Sequence, residues 1–226
     1  VVLELEGYGQ FNPEGWAMIT RTNALATPKG LYIRDTGDID MKNVVCEYAQ
    51  VHSTSEQVHT FENCTFRYIQ RYGSTSKGAL AFSGIVTEDG ASEIINCKFI
   101  ENDYSGIIQA ANCYHQLVIK NCYFYHNNTQ NTNQPQINIT YPGVGKAHVI
   151  EGNMLIGKDD LSKVGAIAVA QMMAEGGGTA YVENNTMFNN RYGFTVNAAT
   201  EVKAVVKNNN IVYNMRETNA MNGGSG

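Results

Sequence analysis

Only 16% of the 226 residues are charged, and no long unbroken run of apolar residues occurs. The net charge is −5 and there is no basic run, so the chain lacks the surface a nucleic-acid partner demands. No stretch approaches the roughly 18 consecutive apolar residues that a membrane-spanning helix needs. Helical periodicity is missing as well. Nowhere do apolar residues hold the i, i+3, i+4, i+7 stripe over ten or more residues, which excludes helical repeats. The sequence opens on Val1, with neither a Met nor a signal-peptide pattern in its first residues. The chain starts in a strand-like run, VVLELEGYG, and stops in NAMNGGSG. These ends lead us to expect a mature form or an excised piece of a longer protein with further domains.

The five cysteines (Cys46, Cys64, Cys97, Cys113, Cys122) form no C-x-x-C pair. Three readings stand for them. A stack of small buried thiols is favoured, because Cys64, Cys97 and Cys122 each follow an Asn in equivalent units. A disulfide framework is weakened by the odd count. Zinc is weakened because the five histidines (His52, His59, His115, His126, His148) are out of phase with the cysteines.

What the chain does have is a repeat. VENNTMFNNRYGFTV, from Val182 to Val196, returns as EIINCKFIENDYSGII, LVIKNCYFYHNN, VIEGNMLIGKDD, VKAVVKNNNIVYN, VHTFENCTFRYI and IDMKNVVCEY. The shared unit is an apolar residue, a spacer, Asn, two spacers and another apolar residue. The leading Asn falls at Asn43, Asn63, Asn96, Asn121, Asn153, Asn184 and Asn208, at spacings of 20, 33, 25, 32, 31 and 24 residues. Self-similarity at this period means a solenoid. The recurring chemistry is short alternation rich in Val, Ile, Phe, Tyr and Thr, cut by Asn, Gly and Asp, which is strand and turn chemistry. The chain therefore reads as all-β, a parallel β-helix. The uneven spacing favours the right-handed form. About seven coils at ~4.8 Å each give roughly 34 Å of axis.

In such a stack each leading Asn recurs above its equivalent, and its amide can bond the next in a ladder. The apolar residues three positions on (Phe66, Phe99, Phe124, Ile156, Met187, Ile211) are expected to stack inside. Residues 1–30 read as an opening, capping segment that contains Trp16. Residues 31–214 read as the β-helix and 215–226 as a tail. The strands GALAFSG, GIIQAA, INITY and GAIAVA are apolar at nearly every position, so both of their faces must be covered. The chain's own long loops are the favoured cover.

The unit I-x-N-N-x-h-x-x-N-x-x-G-h resembles the parallel β-helix repeat of pectate-lyase-like proteins over most of residues 31–214. FIEN and FYHN, near GAL and GAI, are more loosely similar to motifs of chlamydial polymorphic outer-membrane proteins. FENCTF and INCKF resemble surface proteins of gut bacteria. Relatives with the repeat include polysaccharide lyases, uronan epimerases, glycoside hydrolases, phage tailspikes and adhesins. The resemblance implies a secreted or cell-surface bacterial protein with a polysaccharide partner. A fold shared this widely does not assign the activity.

A lyase for uronate polymers needs a base and a cation to neutralise the substrate carboxylate, either Ca²⁺ or Arg and Lys. The loops after the Asn units offer such groups in successive coils. Arg71, His126 and Arg191 are the catalytic candidates. Tyr104, Lys158 and Tyr192 are the substrate-binding candidates, and Asp103 and Asp159 are the candidates for holding Ca²⁺. Consecutive aspartates Asp159-Asp160 suggest an inverting hydrolase, but the G-H-G and R-x-K signatures of such enzymes are missing. Three function classes follow. The first is a polysaccharide lyase acting on an acidic glycan. The second is a noncatalytic glycan-binding module. The third is an adhesive or structural spacer in a larger surface protein.

Overall fold

The computed structural model describes residues 3–5, 10–11, 17–20, 30–34, 36–70, 77–86, 89–110, 113, 115–170, 178–197, 203–212 and 221–223. Every regular element among them is a β-strand, and every strand pairing is parallel. Each strand pairs with the one three elements along the chain, so the chain winds as a helix of three-stranded coils. The first sheet has nine strands, from Leu3–Leu5 to Met221–Gly223. The second has eight, from Gln10–Phe11 to Lys203–Lys207. The third has eight, from Ala17–Ile19 to Asn210–Val212. The Asn units account for seven coils. An eighth comes from Leu3–Leu5, Gln10–Phe11 and Ala17–Ile19, which pair onto the coil that follows them. No helix among the described residues is long and apolar enough to cross a membrane.

Period-two alternation sends every second side chain inward, and register stacks these side chains in columns. In the first sheet the column runs Leu31, Val51, Leu80, Ile107, Ile137, Ile167, Phe194. In the third it runs Cys46, Phe66, Phe99, Phe124, Leu155, Met187, Ile211. The three Phe rings are fully buried and nearly parallel. Their centroids lie 4.9 and 4.7 Å apart, the strand spacing itself. Leu155 takes the place in this column that the sequence spacing assigns to Ile156.

The recurring Asn has a different job from the one its spacing suggests. Asn43, Asn63, Asn96, Asn121, Asn184 and Asn208 adopt left-handed φ of 52–57° at the bend between the second and third sheets. Gly152, at φ 67°, takes the same bend in the sixth coil. Asn and Gly are the residues that enter this region at least cost. The amide ladder lies one residue later. Asn153 Nδ2 donates to Asn185 Oδ1 at 2.9 Å, and Asn185 Nδ2 donates to Asn209 Oδ1 at 3.0 Å. Of the seven predicted ladder residues only Asn153 belongs to it. Cys64, Cys97 and Cys122 occupy the same column in the earlier coils. All five cysteines are free and buried.

A second ladder stabilises the bend between the third and first sheets. Asn102 donates to Asn127 (2.7 Å), Asn127 to Gln136 Oε1 (3.0 Å), and Gln136 Nε2 to Asn190 (2.8 Å). All four side chains are buried and all bond one another, as buried amides must. Gln136 bridges the coil of Met154–Ile156, whose exit turn carries Gly157 and Lys158 in place of an amide.

Ala81, Ile108 and Ala168 alternate with the inward residues of the first sheet and so face outward, yet each is buried. The chain's own segments therefore close this face. Four histidines are buried too. His59 pairs with Ser53 (2.6 Å) and His115 with Ser92 (3.1 Å). His148 Nε2 donates to the Thr140 carbonyl (2.6 Å) while its Nδ1 accepts from Leu117 N–H (3.0 Å). His52, on the first sheet's outer face, pairs with Ser83 at 2.7 Å.

Candidate functional site

On leaving the third sheet most coils pass through a left-handed residue: Tyr48, Tyr68, Glu101, His126 or Asn189, at φ of 49–57°. The bend throws the following loops onto one side of the solenoid. Four of these loops are then stitched together. Thr129 Oγ1 donates to Asp103 Oδ1 (3.1 Å), and Gln130 N–H to the Asp103 carbonyl (3.2 Å). Asn131 Nδ2 donates to the Asp160 carbonyl (3.4 Å), while its Oδ1 accepts from Lys163 N–H (2.9 Å). Asn189 Nδ2 donates to Asp159 Oδ1 (2.6 Å), and the Arg191 guanidinium donates to Asn133 Oδ1. The loop of 127–136 is held internally by Asn128, which bonds both the Thr132 and Gln134 carbonyls at 2.8 Å.

His126 sits at the centre of this stripe. Its ring stacks on Tyr125 with centroids 3.6 Å apart, and its Nδ1 lies 4.0 Å from Glu101 Oε1. Partial burial holds the imidazole below its ordinary pKa. Glu101, Asp159 and Asp160 pull the other way, and Lys158 adds to the lowering. Lys158 is paired with Asp160 at 3.0 Å.

The stripe thus unites Asp103, His126, Lys158, Asp159 and Arg191 through loop-to-loop bonds and shared electrostatics. Tyr104 is half-buried at its start, with the Lys77 ammonium 5.6 Å from its ring centroid. Tyr192 serves packing: its ring fills the space that a side chain on Gly165 would occupy, and burial raises its pKa to about 12. Asp103 and Asp159 lie on loops separated by the 127–136 loop, and each accepts a side-chain hydrogen bond. Among the described residues no three His, Cys, Asp or Glu side chains are grouped to hold a metal ion. Arg71 lies outside the described residues.

Sequence reasoning missed the amides of the stripe, Asn131, Asn133 and Asn189. It also missed the sheet face beside them. YFY and MLI carry an aromatic or apolar residue on either side of the core residue, and TMF carries one after it, which is the signal that reveals an apolar outer face.

Three parallel sheets, stacked core columns and asparagine bends set the terms for comparison with known proteins. The family described as right handed beta helix region matches residues 10–153, more than half of the chain. The chain belongs to the right-handed β-helix family. No curated protein and no solved structure matches it.

Proposed function

We propose that this β-helix is a noncatalytic glycan-binding module, secreted or held at the cell surface, that engages a polysaccharide along the stitched loop stripe. One observation carries the reading: four successive loops present Glu101, His126, Asn131, Asn133, Lys158, Asp159, Asn189 and Arg191 as one continuous surface. Amides, carboxylates and cations in close array are the donors and acceptors that sugar hydroxyls and uronate carboxylates need. The Lys158 pair argues against the lyase. Lys158, the cation that acts on His126, is neutralised by Asp160, whereas Arg191 is held by the neutral Asn133 and keeps its charge for binding a glycan carboxylate.

Affinity electrophoresis through gels containing pectate, alginate or a glycosaminoglycan, with and without Ca²⁺, tests this. Retardation without new absorbance from unsaturated uronate is expected. Arg191→Ala should weaken retardation by about two- to tenfold, the worth of one charge-assisted bond. Turnover would favour the lyase. Free migration in every gel would leave the spacer.

A further inference from the structure

The outer faces of the second and third sheets differ. On the second, Lys42 pairs with Glu62 (3.1 Å), Lys120 with Glu151 (2.9 Å) and Lys207 with Glu183 (3.7 Å). On the third, one outer column reads Ile100, Tyr125, Ile156, Phe188, Val212, in register and without a charged residue over five consecutive strands. The neighbouring outer column adds Tyr123 and Met154. Met154, Phe188 and Val212 are 40–44% exposed, and the others are half-buried. A solvated sheet face normally carries polar side chains, and the column from Ile100 to Val212 carries none that is charged over five strands.

The shape of the strip selects its occupant. It is five strands long, about 19 Å, and one to two side chains wide, so its area is on the order of 200 Å². A stable protein interface buries about 800 Å² on each partner. The strip suits a narrow, extended ligand lying along the solenoid axis. One long edge is the polar stripe itself. His126 follows Tyr125 and stacks on it, Lys158 stands two residues beyond Ile156, and Asn189 follows Phe188 and bonds Asp159. Beyond Tyr123, in its own column, lies the exposed Lys98. A narrow ligand with apolar faces and a polar rim is a linear pyranose polymer. Its C–H faces would pack on Tyr123, Met154 and Phe188, and its hydroxyls or carboxylates would meet the stripe.

We propose that the outer face of the third sheet is a stacking track on which a linear polysaccharide lies parallel to the solenoid axis. The proposal rests on the glycan-binding reading and adds the sheet face on which the ligand packs. Because packing on rings needs no charge, the track takes neutral as well as acidic pyranose chains.

Titration calorimetry with cellohexaose and with hexagalacturonate tests it, comparing wild type, Tyr123→Ala/Phe188→Ala and Arg191→Ala. The double variant should lose about tenfold or more in affinity for both ligands, since each lost stacking contact is worth a few-fold. Arg191→Ala should weaken hexagalacturonate more than cellohexaose, and more at low salt. Should the double variant melt early, Tyr123→Ala alone carries the test, with the same direction expected. If wild type binds hexagalacturonate and the track variants bind it equally well, the track is overturned and the glycan-binding reading stands. If wild type binds neither ligand the track is overturned, and if it also migrates freely in the alginate and glycosaminoglycan gels the glycan-binding reading falls with it.

Discussion

The Cys122 thiol and the Asn153 amide make the same bond one coil apart. Cys122 Sγ donates to the Ile94 carbonyl at 3.3 Å, and Asn153 Nδ2 donates to the Ile119 carbonyl at 2.9 Å. The two also touch: Asn153 Oδ1 accepts the Cys122 backbone N–H at 2.8 Å. Cys64 and Cys97 bond the Met41 and Phe61 carbonyls in the same way. One inward column thus begins as thiols and ends as amides, and each member satisfies a carbonyl of the preceding coil. Sulfur is only a weak acceptor, as where Cys122 Sγ takes the Cys97 N–H at 3.4 Å, so the Asn half of the column is the stronger half.

Corner and ladder positions should therefore respond differently to mutation. Asn153→Ala removes a donor and an acceptor, leaving the Ile119 carbonyl and the Cys122 N–H buried without partners. We expect a loss of about 2–4 kcal/mol, or a melting temperature lower by roughly 5–15 °C for a chain of this size. Asn121→Gly, at the left-handed bend, should cost less than about 1 kcal/mol, whereas Asn121→Val should cost more than that. Equal effects of Asn121→Gly and Asn153→Ala in thermal melts would show that the two positions share one role.

The thiols should be silent in the native state. Burial pushes the Cys46 and Cys97 thiols well up and Cys113 to about 12, and a bond with Cys97 raises Cys64 further. Thiolate is the reactive form, so a disulfide-exchange reagent at pH 8 should modify none of the five within minutes and all five after denaturation. Fast modification of any one would contradict the buried column.

Acid should unfold the β-helix steeply. Burial lowers His59 and His148 to about 4 and His115 to about 3. Each folded value is below the ordinary histidine value of about 6.5, so the unfolded chain binds protons first. The stability these neutral imidazoles confer is complete above about pH 6.5 and is lost as pH falls from there toward 4. With three of them, the slope near pH 5 should approach about 4 kcal/mol per pH unit. Urea melts from pH 7.5 to 4.5 measure it, and His115→Phe should flatten the slope by about a third. A flat profile over that range would mean that the histidines titrate normally.

The strands and the core were legible because period-two alternation and register act on the same residues. Phe66, Phe99 and Phe124 stack where the repeat places them. The ladder was misplaced by one residue because Asn is favoured both at a left-handed bend and in an amide stack. In N-N and N-C pairs the bend comes first. Aligning Asn153 with Asn121 put it on the bend, whereas Gly152 takes that bend and shifts the core residue to Leu155. Gln136 could not be foreseen in a ladder, since it reaches there from the opening of a first-sheet strand. His59, His115 and His148 stand at irregular spacing and looked scattered until coiling gathered them. The charged stripe was legible as residue types in successive loops, but its pairing was not. Which cation meets which amide depends on loop conformation.

The location of the glycan is the most direct test. Amide chemical-shift mapping during titration with hexagalacturonate should give changes clustered in 98–104, 123–133, 154–163 and 186–192, the third sheet and the loops leaving it. Changes centred on Tyr32, His52, Ala81 and Ile108 would place the ligand over the first sheet and contradict the account.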